Sequence, residues 1–124
     1  MFKTRVTEIL GIEHPIIAGT MQALSRAELV AAEANAGVLG IIPSATFPSK
    51  EELRDEIRKV KSLTDKPFAV NINLFPMLMP ISIEECIDTA IEEGVKIIET
   101  SGRSPVPYAC LLYTSDAADE GLGV

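Results

Sequence analysis

The run Phe68-Ala69-Val70-Asn71-Ile72-Asn73-Leu74 decides how the rest of the chain is read. Lys66-Pro67 precede it and Pro76 follows, so prolines fence it on both sides. It is mostly apolar and rich in β-formers, long enough for a strand and too short for a helix. Side chains of a strand alternate between faces, which puts Phe68, Val70 and Ile72 on one side and Ala69, Asn71 and Asn73 on the other. Two carboxamides on one face of a buried strand need partners, because an unpaired buried amide costs roughly 1–3 kcal/mol. Those partners are either neighbouring backbone or a polar ligand. From the residues alone the structural partner is favoured for Asn71.

Working outward, one unit recurs. Ser25-Arg26-Ala27-Glu28, Ser49-Lys50-Glu51-Glu52 and Ser82-Ile83-Glu84-Glu85 each have the capping-box pattern that opens a helix. The first helix carries Leu29, Val30 and Ala36 and stops at Gly37, ahead of the short apolar strand Leu39-Gly40-Ile41-Ile42. In the second, Leu53, Ile57, Val60 and Leu63 form one apolar stripe, with Asp55 and Lys59 expected to pair on the wet side. The third places Ile83, Ile87, Ala90 and Ile91 on one face and stops at Gly94, before a strand over Val95 to Glu99. Pro15-Ile16-Ile17-Ala18, ended by Gly19, supplies the first strand. Alternating β and α units imply parallel strands covered by helices, in an open doubly wound sheet or a closed (β/α)₈ barrel. Local pattern slightly favours the open sheet, since a barrel takes about 250 residues and this chain has 124.

The composition is that of one globular domain, 47% hydrophobic and 23% charged. A net charge of −7 argues against a nucleic-acid partner. No apolar run approaches about 18 residues, so no membrane span is expected, and the N-terminus lacks the apolar core of a signal peptide. Cys86 and Cys110 form no disulfide or metal framework, which fits the reducing cytoplasm.

After Tyr108 the pattern breaks. Cys110-Leu-Leu-Tyr-Thr-Ser-Asp-Ala-Ala-Asp-Glu120 has neither a capping box nor a helical stripe, and it resembles the translation of a transposase-type sequencing adapter. The chain is therefore expected to divide into a barrel-type domain over 1–109 and a non-native tail over 110–124. Setting aside Asp116, Asp119 and Glu120 leaves 15 acidic residues against 11 basic ones, a net of −4. A gene product continuing past residue 109 also removes the length objection to a barrel.

Gly19-Thr20-Met21 lies between the first strand and the first capped helix, where a turn can aim backbone N–H groups at a flavin edge or a phosphate. A plain strand-to-helix turn is the default reading. His14, the single histidine, precedes Pro15 at the end of its strand away from the active face, so it reads as structural. Cys86 reads as packing, and Glu99 as a carboxylate paired with a lysine or a backbone amide. No Ser–His–Asp or Cys–His set can be assembled, and no catalytic or metal-binding residue is assigned. The loop Phe75-Pro76-Met77-Leu78-Met79-Pro80-Ile81 is strongly apolar and needs a partner, a substrate or further barrel to cover it.

Taken together, Ile12 to Ile17, Gly19 to Met21, Ala34 to Gly37, Leu39 to Ile42, Lys61 to Ile72 and Ile91 to Gly102 resemble the N-terminal part of the nitronate monooxygenase family, which includes flavin-dependent enoyl-acyl carrier protein reductases. The resemblance runs from about Thr4 to Tyr108. It implies an α/β fold, the N-terminal half of a TIM (β/α)₈ barrel with about four βα units, and an FMN cofactor. It also implies cofactor contacts from Gly19, Thr20 and Met21 through backbone, and from Asn71. Where members commonly carry glycine this chain has Thr20, Val38 and Ala45, and a side chain is strained wherever such a position needs positive φ. The family's catalytic histidine belongs to a later glycine-rich segment that nothing here matches.

The expectation is a fragment of an enzyme that oxidises alkyl nitronates or nitroalkanes with O₂, inactive as it stands and binding FMN weakly or not at all. A fragment of an enoyl-thioester reductase and a non-catalytic α/β binding module are the alternatives. The expected partners are a small-molecule substrate and a second copy of the chain through open barrel edges, with neither nucleic acid nor membrane.

Overall fold

In the computed structural model, which describes residues 3–75 and 80–113, the fenced run is the strand β2 (Phe68–Asn73). It lies between β1 (Gly40–Pro43) and β3 (Ile97–Ser101), and both pair with it in parallel. Ile17 adds a rudimentary first strand: it bridges Leu39 in parallel, Ala18 N–H donating to Leu39 O at 2.9 Å and Leu39 N–H to Ile16 O at 3.0 Å. The strands therefore follow one another in space in chain order, with no reversal. A doubly wound sheet reverses its winding at a switch point; a (β/α)₈ barrel does not. The arrangement is an arc of a barrel, and the open sheet favoured by local pattern is set aside.

Helices α2 (Ala27–Asn35), α3 (Lys50–Leu63) and α4 (Ile83–Glu92) pack on one face of this arc. Phe68, Val70 and Ile72 meet Val30, Leu53, Ile57, Val60 and Ile87 there in one apolar core. Each such fully buried side chain contributes about 1.5–3 kcal/mol relative to exposure. The other face holds a smaller cluster: Ile41, Ala69 and Ile97, with Leu39, Ile12 and Leu10 of the N-terminal helix α1 (Arg5–Leu10). The alternation expected for β2 is thus met on both sides.

The helix starts are met unevenly. At Ser82 the capping box is complete: its Oγ accepts from Glu85 N–H at 3.1 Å, and Glu85 Oε2 accepts from Ser82 N–H at 2.9 Å. Ser49 makes its half, accepting from Glu52 N–H at 3.2 Å. Ser25 does not cap α2. The N-cap is Arg26, which makes no side-chain cap bond, and Ala27 N–H donates instead to Glu56 Oε2 of α3 at 2.7 Å. An ionised carboxylate outcompetes a neutral hydroxyl for an orphan N–H, and Ser25 Oγ accepts from Met21 N–H at 2.9 Å. Likewise Lys59 does not hold Asp55; it pairs with Glu28 across the α2–α3 interface. The fragment Thr4-to-Thr7 forms an unforeseen box, Thr7 Oγ1 standing where Glu or Gln is usual.

Gly37 and Gly94 stop their helices at φ 91° and 76°. None of Thr20, Val38 and Ala45 takes positive φ, so the condition for strain there is not met. Among the described residues the non-glycine with positive φ is Ala23, at 66°, in the turn that precedes α2. Its N–H is tied to Thr46 Oγ1 at 2.9 Å. Val106–Tyr108 and α5 (Ala109–Tyr113) follow β3, and Leu112 is buried in the outer core. The boundary expected between residues 109 and 110 falls within α5. Residues 114–124, with Asp116, Asp119 and Glu120, lie outside the described residues, as do 76–79 of the apolar loop.

Candidate functional site

Parallel strands of a barrel deliver their C-terminal ends to one rim, and chemistry collects there. Here the rim gathers Thr20 from the turn after the first strand, Asn71 near the end of β2, and Glu99 and Ser101 in β3. The register pairs Asn71 directly with Glu99. Residues directly opposite on neighbouring strands share a face, so the two side chains meet on the inner side. Asn71 Nδ2 donates to Glu99 Oε1 at 2.7 Å and to Ser101 Oγ at 3.3 Å. Thr20 Oγ1 donates to the same Glu99 Oε1 at 3.3 Å, across 79 positions of sequence.

Asn71 is 7% exposed, so its carboxamide needs these bonds, and the structural partner expected for it is a side-chain carboxylate rather than backbone. Glu99 is half-buried and meets a carboxamide and a hydroxyl, not the lysine or backbone amide that its type suggested. Asn73, two residues along, is spent locally: its Oδ1 accepts from Phe75 N–H at 3.0 Å, an Asx turn that leads the chain out of the strand.

Gly19 sits exposed beside this cluster, and a Cβ built on it would meet nothing within 4 Å. Neither Gly19 nor Thr20 N–H has a hydrogen-bond partner among the described residues. Met21 differs, since its N–H is taken by Ser25 Oγ. Of the three residues expected to offer backbone to a ligand, two remain open and one is engaged. Below the rim runs an apolar trough of about 610 Å³, lined by Ile17, Leu39, Ile41 and Ile97 of the strands and by Val6 and Ile9 of α1. An open N–H pair, an open carboxamide oxygen and an apolar floor together suit a flat ring with a polar edge.

The remaining candidates stand apart. His14 lies at the opposite end of its strand, its N–H donating to Gly37 O and its ring 4.0 Å from Glu13. Cys86 is buried on α4, where burial pushes its thiol up, away from the thiolate a nucleophile needs. Among the described residues no group of three or more His, Cys, Asp or Glu side chains is placed to hold a metal ion, and no helix is long and apolar enough to cross a membrane.

A parallel barrel arc with a polar rim over an apolar interior defines the class, a (β/α)₈-barrel protein, and in such barrels chemistry sits at the strands' C-terminal ends. The model of the nitronate monooxygenase family matches residues 3–102, and the chain belongs to that family. It is 43% identical over 95 residues to the (3aS,4S,5R,7aS)-5-hydroxy-7a-methyl-1-oxo-octahydro-1H-indene-4-carboxyl-CoA dehydrogenase of Mycobacterium tuberculosis, 77% of this chain and 25% of that protein. To the nitronate monooxygenase of Pseudomonas aeruginosa it is 49% identical over 71 residues, 57% of this chain and 19% of that protein. Among solved structures, FabK from Thermotoga maritima superposes with a TM-score of 0.84 at 35% identity, covering 94% of this chain and 36% of FabK. The chain thus spans about a quarter of the length of the first of these relatives.

Proposed function

We propose that this chain forms the flavin-facing rim of an FMN-dependent oxidoreductase that oxidises alkyl nitronates or nitroalkanes with O₂. The observation that carries the reading is the Asn71–Glu99–Thr20 cluster beside the open backbone of Gly19 and Thr20. FMN, when bound, supplies the redox chemistry, including its reaction with O₂. The chain's own part is to seat the ring. Gly19 and Thr20 offer N–H donors, Asn71 offers its carboxamide, and the trough keeps water from one face. Met21 serves through its place in the turn, since its N–H is already used. No residue of this chain is assigned a catalytic role, in keeping with the family's histidine lying beyond the matching segments.

A barrel's phosphate-binding loops follow strands seven and eight, and the four strands here supply none of them. We therefore infer that the chain alone holds FMN weakly and turns nothing over. Absorbance of the purified, desalted chain near the flavin bands tests this; stoichiometric FMN with turnover of a nitronate overturns it. The outer edge of β3 and the single-bridge first strand are unpaired among the described residues. Such edges recruit other strands, so self-association rising with concentration is expected by sedimentation.

A second reading, oxidoreduction of an acyl thioester with a reduced nicotinamide, has its own support. Two relatives named as carboxyl-CoA dehydrogenases match over 77% of the chain at 43% and 42% identity, and the apolar trough suits an acyl or alicyclic group. Activity of the full-length gene product on a nitronate and on an enoyl thioester separates the two readings.

A further inference from the structure

Glu99 is tied to Asn71 more closely than a shared rim requires. The two are direct partners in the β2–β3 register, so the strand pairing itself holds them together. Their 2.7 Å separation is in the charge-assisted range for N–H to carboxylate. A carboxylate only accepts, whereas a carboxamide has one accepting and one donating end. With the carboxamide reversed, Asn71 Oδ1 would face Glu99 Oε1 at hydrogen-bond distance with no proton between them. Glu99 therefore permits the carboxamide one orientation; Ser101 Oγ accepts from the same Nδ2, and Thr20 Oγ1 donates to the same Glu99 Oε1.

The consequence lies at the other end of the amide. Asn71 Oδ1 takes no hydrogen bond among the described residues, yet it is not sealed in; among those residues the sealed side-chain atom without a hydrogen bond is Arg54 Nε, on the far side of the sheet. We propose that Glu99 is a positioning residue. It turns the Asn71 NH₂ inward and its Oδ1 toward the mouth of the site, so that Asn71 presents an acceptor and selects a hydrogen-bond donor on the ligand. The ligand half of this statement rests on the flavin reading above. An oxidised flavin ring has a single N–H donor, at N3, flanked by carbonyl acceptors, and its ribityl chain carries hydroxyl donors. One of these, and not a ring carbonyl, meets Asn71. A glutamine at 99 keeps the size of the side chain but accepts or donates equally well, which removes the lock.

The full chain, labelled with ¹⁵N, tests both halves by NMR. In the unmodified protein the Asn71 NH₂ protons are expected to show NOEs to the Glu99 side chain and to Ser101, and Glu99→Gln to weaken them. Asn71→Asp sets two carboxylates face to face and lowers the urea midpoint. Adding Glu99→Gln to it restores a donor and an acceptor in reversed order, and the midpoint is expected to recover, which a merely space-filling role does not predict. On adding FMN, the Asn71 side-chain signals are expected to shift. Loss of that shift with 3-methyl-FMN assigns ring N3–H, and loss with lumiflavin assigns a ribityl hydroxyl. Equal shifts with FMN and both analogues overturn the donor half. Asn71 NH₂ protons without NOEs to Glu99, or a double variant no more stable than Asn71→Asp, overturn the positioning role whatever flavin does. An inward amide with signals indifferent to FMN upholds the lock and overturns the flavin reading together with the donor half.

Discussion

The two faces of β2 differ more than their shared backbone suggests. Phe68, Val70 and Ile72 point outward into a core closed by three helices, and none of them is more than 9% exposed. Ala69, Asn71 and Asn73 point inward, where the cluster is smaller, a trough stays open, and Ile16 and Ile17 beside it are 54% and 50% exposed. Stability is concentrated on the outer face, and the polar groups free to meet a ligand are on the inner one. A strand in a barrel arc can serve both ends because its side chains alternate.

Six substitutions and one titration test that contrast. Leu53→Ala removes a fully buried outer-face side chain and is expected to cost about 2–5 kcal/mol in urea denaturation, whereas Ile17→Ala on the inner face, half exposed, is expected to cost under about 1 kcal/mol. Comparable losses at the two sites would erase the distinction. Gly40→Ala comes next. Its Cβ would sit 2.6 Å from Val30 O of α2 and 3.0 Å from Val30 Cγ1, so α2 must move off β1. Overpacking of this kind costs roughly 1–3 kcal/mol, again charged to the outer face. Ser82→Ala removes a complete capping box and is expected to cost about 1 kcal/mol; Ser25→Ala, not being a cap, should leave α2 intact and loosen the Met21 turn, read by amide exchange at Met21.

Acid titration probes the outer helices through Glu93. Hydrogen bonding from Arg58 holds the Glu93 carboxyl below its ordinary value of 4.5, with Arg54 and Lys61 adding to the effect. A group whose pKa is lowered on folding contributes stability that is present above its unfolded value and is lost as pH falls through the folded one. Stability should therefore decline below about pH 4.5, and less so in Glu93→Gln, measured as the urea midpoint against pH. Gly19→Ala is expected to have the smallest effect. Its Cβ meets nothing within 4 Å, so stability should change by less than about 0.5 kcal/mol, while FMN contact, if the inner rim is the site, should weaken.

What could be read in advance divides along the same line as the two faces. The alternation of β2, the stripe Leu53-Ile57-Val60, the Ser82 box and the stops at Gly37 and Gly94 are local patterns, fixed within a few residues, and the structure keeps them, while Leu63, the fourth member expected in that stripe, is 46% exposed. Features set by distant neighbours escaped. Ser25 lost its cap to Glu56, and Lys59 chose Glu28 over Asp55, because those partners arrive only when α2 and α3 pack. The single-bridge first strand depends on how the units stack rather than on any one of them; the chain-order sheet, missed by local pattern, is what the family resemblance implied as half a barrel. At the site, Asn71 was visible as a carboxamide in need of a partner. Glu99 was visible only as a carboxylate at a strand end, since the register that joins the two spans 28 residues. Thr20 was noted for its backbone and its missing glycine, and the bond of its hydroxyl to Glu99, 79 positions away, was not foreseen.

The central claim, that the inner rim faces flavin while the outer face carries the fold, is most directly tested by an amide and side-chain shift map of the ¹⁵N-labelled chain titrated with FMN. Weak, saturating shifts are expected at Gly19, Thr20 and the Asn71 side chain, with Leu53, Ile57 and Ile87 unmoved. Shifts confined to the outer helices or to the Lys61–Lys66 end of the arc, with Gly19 and Asn71 unchanged, would contradict it.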